Sequence, residues 1–264
     1  MTLDKNKVGL IVVAPTFYTS LQETRYLLAV EACRNAAKHS IQVRLVDASQ
    51  SEEVRQGLED AGEGCVKVFN QNKKGRKGAA LREAIEFAHE EPSTQESFIA
   101  FQELEKVDMF RHWHPLIEHM RQQDTDISVP RRSDESFRST YPIEQYHCES
   151  FANLYLNSLG ERIGMPAIDW TIGPIAFKRH LANHWIDFDG ELWDAQLVPL
   201  VNAHASGARI SSFEIEYFYP SAMKEEEEGS AKWNEKRLMQ LNFLKETVGK
   251  ALLESRGSES IETA

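Results

Sequence analysis

Cysteine is scarce in this chain. Cys33, Cys65 and Cys148 lie far apart and are odd in number, so neither a disulfide framework nor a Cys-pair zinc site can be built from them. Positive charge is also short: 30 Lys and Arg stand against 41 Asp and Glu, and the net charge of -11 argues against a general nucleic-acid surface. A local basic pocket for one small phosphorylated ligand stays open. Glycine is missing where a nicotinamide-binding loop would need it, because Pro15-Thr16-Phe17-Tyr18 follows the first apolar run. No stretch reaches the ~18 consecutive apolar residues of a membrane span, and the opening MTLDKNK has no signal-peptide apolar core. The expectation is a cytoplasmic protein with no membrane span and no nucleic-acid partner. Neither an internal repeat nor a Pro-rich linker divides the chain, so residues 1–254 are expected to form one domain, with a polar, disordered tail over 255–264.

What is present is an alternation of strands and helices. Val8 to Ala14 is a short β-branched run of the kind buried on both faces of a sheet, and Ser20 to His39 has helical spacing opened by a Ser20/Glu23 capping box. Strands are expected at 41–46, 66–69, 97–101 and 127–130, with helices at 51–61, 79–89 and 109–123 between them. That order implies a mostly parallel sheet flanked by helices, whose ligands bind at the carboxyl edge of the strands. Asp47, Asn70 and Glu103 fall at or just beyond that edge. The second half is less regular: a helix over 141–159, a strand over 172–177, a helix over 191–205, a strand over 209–218, a charged loop KEEEEG and a terminal amphipathic helix over 232–253. That last helix carries Leu238, Leu241, Leu244, Val248 and Leu252 on one face, suited either to packing on the domain or to a dimer contact.

Several residues here bear chemistry. Asn72-Lys73-Lys74-Gly75-Arg76-Lys77-Gly78 is a glycine-bearing basic turn entering a helix, where backbone amides and the helix N-terminus favour an anion. It has no G-K-[S/T] at the spacing of a Walker A loop. Glu103 and Glu105 end a strand as paired carboxylates, hard oxygen donors suited to magnesium or manganese, while Lys106 beside them could supply positive charge directly. Two glutamates after a strand are otherwise common at surfaces and helix caps. His112, His114 and His119 lack the i, i+4 spacing of a zinc helix.

In this order the strand ending at Pro15-Thr16, the strand ending at Asp47, Asn70 with the Lys/Gly/Arg turn, and the carboxylate pair resemble the nucleotide-binding half of the GT-A glycosyltransferases, particularly family 2. The resemblance implies a Rossmann-like GT-A α/β fold, residues 1–130 binding the nucleotide and 131–254 the acceptor. It implies transfer of a sugar from a UDP- or GDP-sugar donor to a small or polar small-molecule or glycan acceptor, and an anionic one would suit the arginines. Pro15, Thr16, Asp47, Asn70, Arg76, Lys77 and Lys106 would bind the donor, and Glu103 and Glu105 a divalent Mn2+ or Mg2+. The family's Asp-x-Asp is replaced here by glutamates, and Tyr219-Pro220-Ser221 stands where a late histidine ligand is usual; His204 is a poor substitute. Arg131, Arg132, Asp169 and Trp170 would face the acceptor, with Trp170 stacked on a sugar or, equally, buried in the core. Asp194 or Glu191 would be the base if the reaction inverts configuration. The alternatives are a sugar-phosphate nucleotidyltransferase, against which the glycine-free loop after the first strand counts, and a non-catalytic nucleotide- or partner-binding domain.

Overall fold

The computed structural model describes residues 9–92 and 96–255. The expected tail therefore lies outside the described residues except for Ser255, which ends the last helix. In chain order the first half contains β1 (Gly9–Thr16), α1 (Thr24–Lys38), β2 (Gln42–Asp47), α2 (Glu52–Ala61), β3 (Val66–Asn70), α3 (Lys77–Glu90), β4 (Ser97–Phe101), α4 (Trp113–Gln122) and β5 (Ile127–Arg132). Then follow α5 (Asp134–Thr140), α6 (Ile143–Gly160), β6 (Ile175–Lys178), α7 (Asn183–Ile186), α8 (Asp194–Ala205), β7 (Ile210–Ile215), α9 (Ser221–Glu227) and α10 (Ala231–Ser255).

Strands from both halves join one seven-stranded sheet in the order β3-β2-β1-β4-β6-β5-β7. β1 pairs in parallel with β2 and β4, and β2 with β3; β6 alone runs antiparallel, to β4 and to β5. Val12, Val13 and Ala14 are wholly buried, as a continuous apolar run in a sheet covered on both faces requires. The register aligns Thr16 with Asp47 and Asp47 with Asn70, so three strand ends finish level at one edge. β5 and β7 end at the same edge through Arg132 and Ile215.

The differences from the expected elements are local. Helix α1 begins at Thr24 instead of Ser20, because the Glu23 carboxylate turns back to accept from the amide and hydroxyl of Thr19 at 3.0 and 3.2 Å. β6 begins three residues late because Thr171–Pro174 forms a turn against Glu103. Gly173 there has φ of 93°, and a β-carbon at this position would run into the Glu103 carboxylate. The KEEEEG segment is largely helix α9, and its Glu227 is buried, because Arg25 of α1 and Arg237 of α10 close on it. α10 packs along α6 and α8 through Leu244, Val248 and Leu252, while Leu238 stays exposed.

Candidate functional site

A pocket of about 630 Å³ opens at the carboxyl edge, within the size range of small-molecule sites. Pro15 and Thr16 reach it from β1, Arg76 and Lys77 from the start of α3, and Glu103, Glu105 and Lys106 from the segment after β4. Seven residues singled out in the sequence are thus gathered round one cavity. α9 and α10 form a further wall through Met223, Glu227, Trp233, Lys236, Arg237 and Gln240. Six cationic side chains line the pocket against four carboxylates, a local surplus of positive charge in a chain of net charge -11.

Most of that charge is tied in pairs. Glu103 takes Lys77 at 2.9 Å and has Lys106 at 3.9 Å. Burial would raise the Glu103 carboxyl, but Lys77 and then Lys106 outweigh it and hold the pKa at about 2. Its second oxygen, Oε2, is buried without a hydrogen-bond partner. Arg25 bridges Glu105 at 3.8 Å and Glu227 at 3.1 Å, and Glu227 also accepts from Tyr219 at 2.9 Å and Arg237 at 2.8 Å. Among the described residues no group of three His, Cys, Asp or Glu converges as a ready-made metal cage. The donor set nevertheless suits a hard dication: Glu103 presents an unpartnered oxygen, Glu105 is only loosely paired, and such ions are commonly held by one or two carboxylates with phosphate and water completing the shell.

Several expected roles are corrected. Asp47 does not line the pocket. It is buried and accepts from the Thr16 and Ser49 hydroxyls, each at 2.8 Å, and from the Ser49 amide at 3.0 Å, so it shapes the ends of β1 and β2 as a turn residue would. Thr16, which lines the pocket, donates its hydroxyl proton to Asp47, which leaves its oxygen only as an acceptor toward a ligand. Asn70 ends β3 exposed and outside the pocket, where Gln71 lines it instead. Trp170 is core, 1% exposed, with its indole N–H donated to Asn157 at 2.8 Å, so it cannot stack on a sugar.

Arg132 and Asp169 are likewise internal. The Arg132 guanidinium binds Asp169 twice, at 2.7 and 2.8 Å, donates to Glu149 at 2.7 Å and to Thr171 at 2.8 Å, and lies 3.6 Å from the Phe137 ring centroid. Burial raises the Asp169 carboxyl, yet Arg132 beside it brings it below the ordinary range. The network supports the pocket floor, where Glu149 and Thr171 emerge. Arg131 points outward, paired with exposed Glu214 at 2.7 Å.

Neither expected base lines the main pocket. Glu191 accepts from the Arg76 amide at 2.5 Å and from Arg82 at 3.2 Å; these bonds, the amide first, lower its carboxyl pKa. It pins the glycine turn to the loop before α8, and Gly78 is required there because any side chain would strike the Gly190 carbonyl. Asp194 accepts from the Leu192 amide at 2.8 Å at the start of α8 and lines a separate, smaller pocket. His204 bonds the Ile163 carbonyl at 2.9 Å and does not line the main pocket.

The wall formed by Arg25, Glu227, Trp233, Lys236 and Arg237 has no signature in the sequence. Arg25 and Glu227 are 202 positions apart, and a glutamate run ordinarily reads as solvated.

No family model matches the sequence, and no curated protein matches it. Solved structures do. Glucosyl-3-phosphoglycerate synthase from Mycobacterium tuberculosis superposes with a TM-score of 0.60 at 13% identity, covering 95% of this chain and 81% of that one. The same enzyme in complex with Mn2+, UDP and glucosyl-3-phosphoglycerate gives 0.56 at 12%, covering 95% and 80%. Its complex with Mn2+, UDP-glucose and glycerol 3-phosphate gives 0.55 at 12%, with the same coverage. At this identity the likeness establishes the fold, and the chain has the GT-A fold.

Proposed function

We propose that this GT-A chain is a glycosyltransferase that moves a sugar from a nucleoside-diphosphate sugar to a small, polar, anionic acceptor. The observation that carries the reading is the convergence of Pro15, Arg76, Lys77, Glu103, Glu105 and Lys106 on one 630 Å³ pocket at the carboxyl edge. The solved structures it resembles bind UDP or UDP-glucose with Mn2+, and phosphoglycerate or glycerol 3-phosphate.

Each part of the pocket has a task in such a transfer. Pro15 and the Thr16 backbone bound the nucleoside side. Arg76, which has no ion-pair partner among the described residues, offers a guanidinium fork to the diphosphate, with the N-terminus of α3 behind it. Glu103 and Glu105 would hold a divalent metal, which when bound offsets charge on the departing diphosphate. Lys77 and Lys106 are fixed beside Glu103, so their charge is in place before donor arrives and needs no reorganisation during the reaction. Glu191 keeps the turn carrying Arg76 against the loop before α8.

The test is a thermal-shift panel of UDP, GDP and their sugar conjugates, each with manganese and with EDTA, followed by turnover on the donor that binds. Stabilisation of roughly 2.7 kcal/mol is expected at a hundredfold excess over Kd. Binding and transfer support the reading. Pyrophosphate release from UTP or GTP would replace it with nucleotidyl transfer, and absence of both donor binding and turnover would end it.

A further inference from the structure

The cations of the pocket fall into two sets. Lys77 and Lys106 lean on Glu103, Arg25 on Glu105 and Glu227, and Arg237 on Glu227. Arg76 and Lys236 have no ion-pair partner among the described residues, although both line the pocket. They come from different elements, Arg76 from the turn before α3 and Lys236 from the second turn of α10.

Lys236 sits among other cations. Its ammonium is 4.2 Å from the centroid of the Trp233 ring, and the same indole has the Arg25 guanidinium at 5.1 Å and Lys232 at 5.8 Å. Arg25 of α1, Lys77 of α3 and its neighbour Arg237 add positive charge around it, against which the Glu227 carboxylate of α9 acts. That carboxylate is already divided among Arg25, Tyr219 and Arg237. Lys236 itself stays solvent-exposed on the pocket wall; partial desolvation there, and then the Arg25 charge, bring its pKa down to about 8. Like charges gathered around one indole, with the Glu227 carboxylate committed elsewhere, leave a place that an incoming anion would neutralise.

We propose that Lys236, backed by Trp233 and Arg25, seats the anionic group of the acceptor, a phosphate or a carboxylate. The assignment rests on the glycosyl-transfer reading, in which two anionic ligands enter one pocket. Arg76, on the anion-binding turn, then serves the donor diphosphate, and Lys236, on the α10 wall, serves the acceptor. Lys236 thereby selects charged acceptors over neutral sugars of similar size.

The experiment compares wild type, Lys236→Met and Lys236→Arg by calorimetry with four probes: UDP, glycerol 3-phosphate, glycerate and, as the uncharged control, glycerol. A hydrogen bond to a charged group predicts that Lys236→Met weakens the preferred anion at least about tenfold, while UDP stays within about twofold. Lys236→Arg should retain the anion. A lysine with a pKa near 8 is cationic below that value and neutral above it, so wild-type anion affinity should fall as pH rises past 8. The Lys236→Arg protein should show no such fall. Equal loss of UDP and anion in Lys236→Met would overturn the proposal, as would no loss of either. Failure of both anions to outbind glycerol on wild type would overturn it too. If an anion binds through Lys236 but UDP does not bind wild type, the seat stands and the transfer reading falls.

Discussion

Replacing Arg132 with Met should be among the most damaging single changes in the described chain. Arg132 is 4% exposed, and its guanidinium makes four hydrogen bonds of 2.7–2.8 Å, two to Asp169, one to Glu149 and one to Thr171. Methionine fills much of the aliphatic volume but leaves Asp169 and Glu149, both buried, without their cation. Breaking a buried pair in this way costs about 3–5 kcal/mol, because a charge stays desolvated without compensation. At roughly 2–4 °C per kcal/mol for a chain of this size, the thermal midpoint should fall by about 6–20 °C. Urea unfolding by circular dichroism gives the free energy directly, and an unchanged m-value shows that the folded state keeps its compactness. The combined variant Arg132→Met, Asp169→Asn, Glu149→Gln should regain at least half of the loss, since no unpaired charge is left inside. A loss below about 1 kcal/mol for Arg132→Met, the magnitude of an exposed pair, would refute the argument. So would a triple variant less stable than the single one.

Three other changes test the pocket. Glu191→Ala should weaken nucleotide binding about tenfold, or 1.4 kcal/mol, by freeing the Arg76 amide and Arg82; titration calorimetry with UDP reads this directly. Asp194→Asn should alter turnover by less than about threefold, whereas loss of a general base would cost on the order of 10²–10⁴. Gly173→Ala should lower the thermal midpoint by about 2–8 °C, from roughly 1–2 kcal/mol of strain at φ of 93°, and should reduce manganese stimulation by crowding Glu103.

The sequence is most readable where local pattern and tertiary role coincide. The β-branched run ending at Thr16, the glycine turn at Gly75–Gly78 and the carboxylates after β4 each announce themselves within a few residues, and their order places them along one sheet edge. Asp47 shows where such reading stops. Its position at a strand end is legible, but a carboxylate facing a ligand and one tying down Thr16 and Ser49 have the same neighbours in sequence. Trp170 is similar, since only the distant Asn157 partner decides that it belongs to the core. Glu227 misleads outright: inside a run of four glutamates it looks solvated, and two arginines from α1 and α10 make it internal. Long-range ion pairs leave no periodic trace, so the wall built from α1, α9 and α10 had to be seen folded.

That wall also sets an order of events during synthesis. A chain emerging from its N-terminus can pair β1, β2, β3 and β4 and collect Arg76, Lys77 and the carboxylates early. Glu227 and Arg25 would meanwhile wait some two hundred residues apart, and β4 would lack its neighbour β6. Only when α10 arrives to lie along α6 and α8 do Arg237 and Trp233 close the cavity. The nascent protein therefore has the sheet-edge side of its cavity long before it has the helical side, and the order of its helices along the chain decides when the pocket closes.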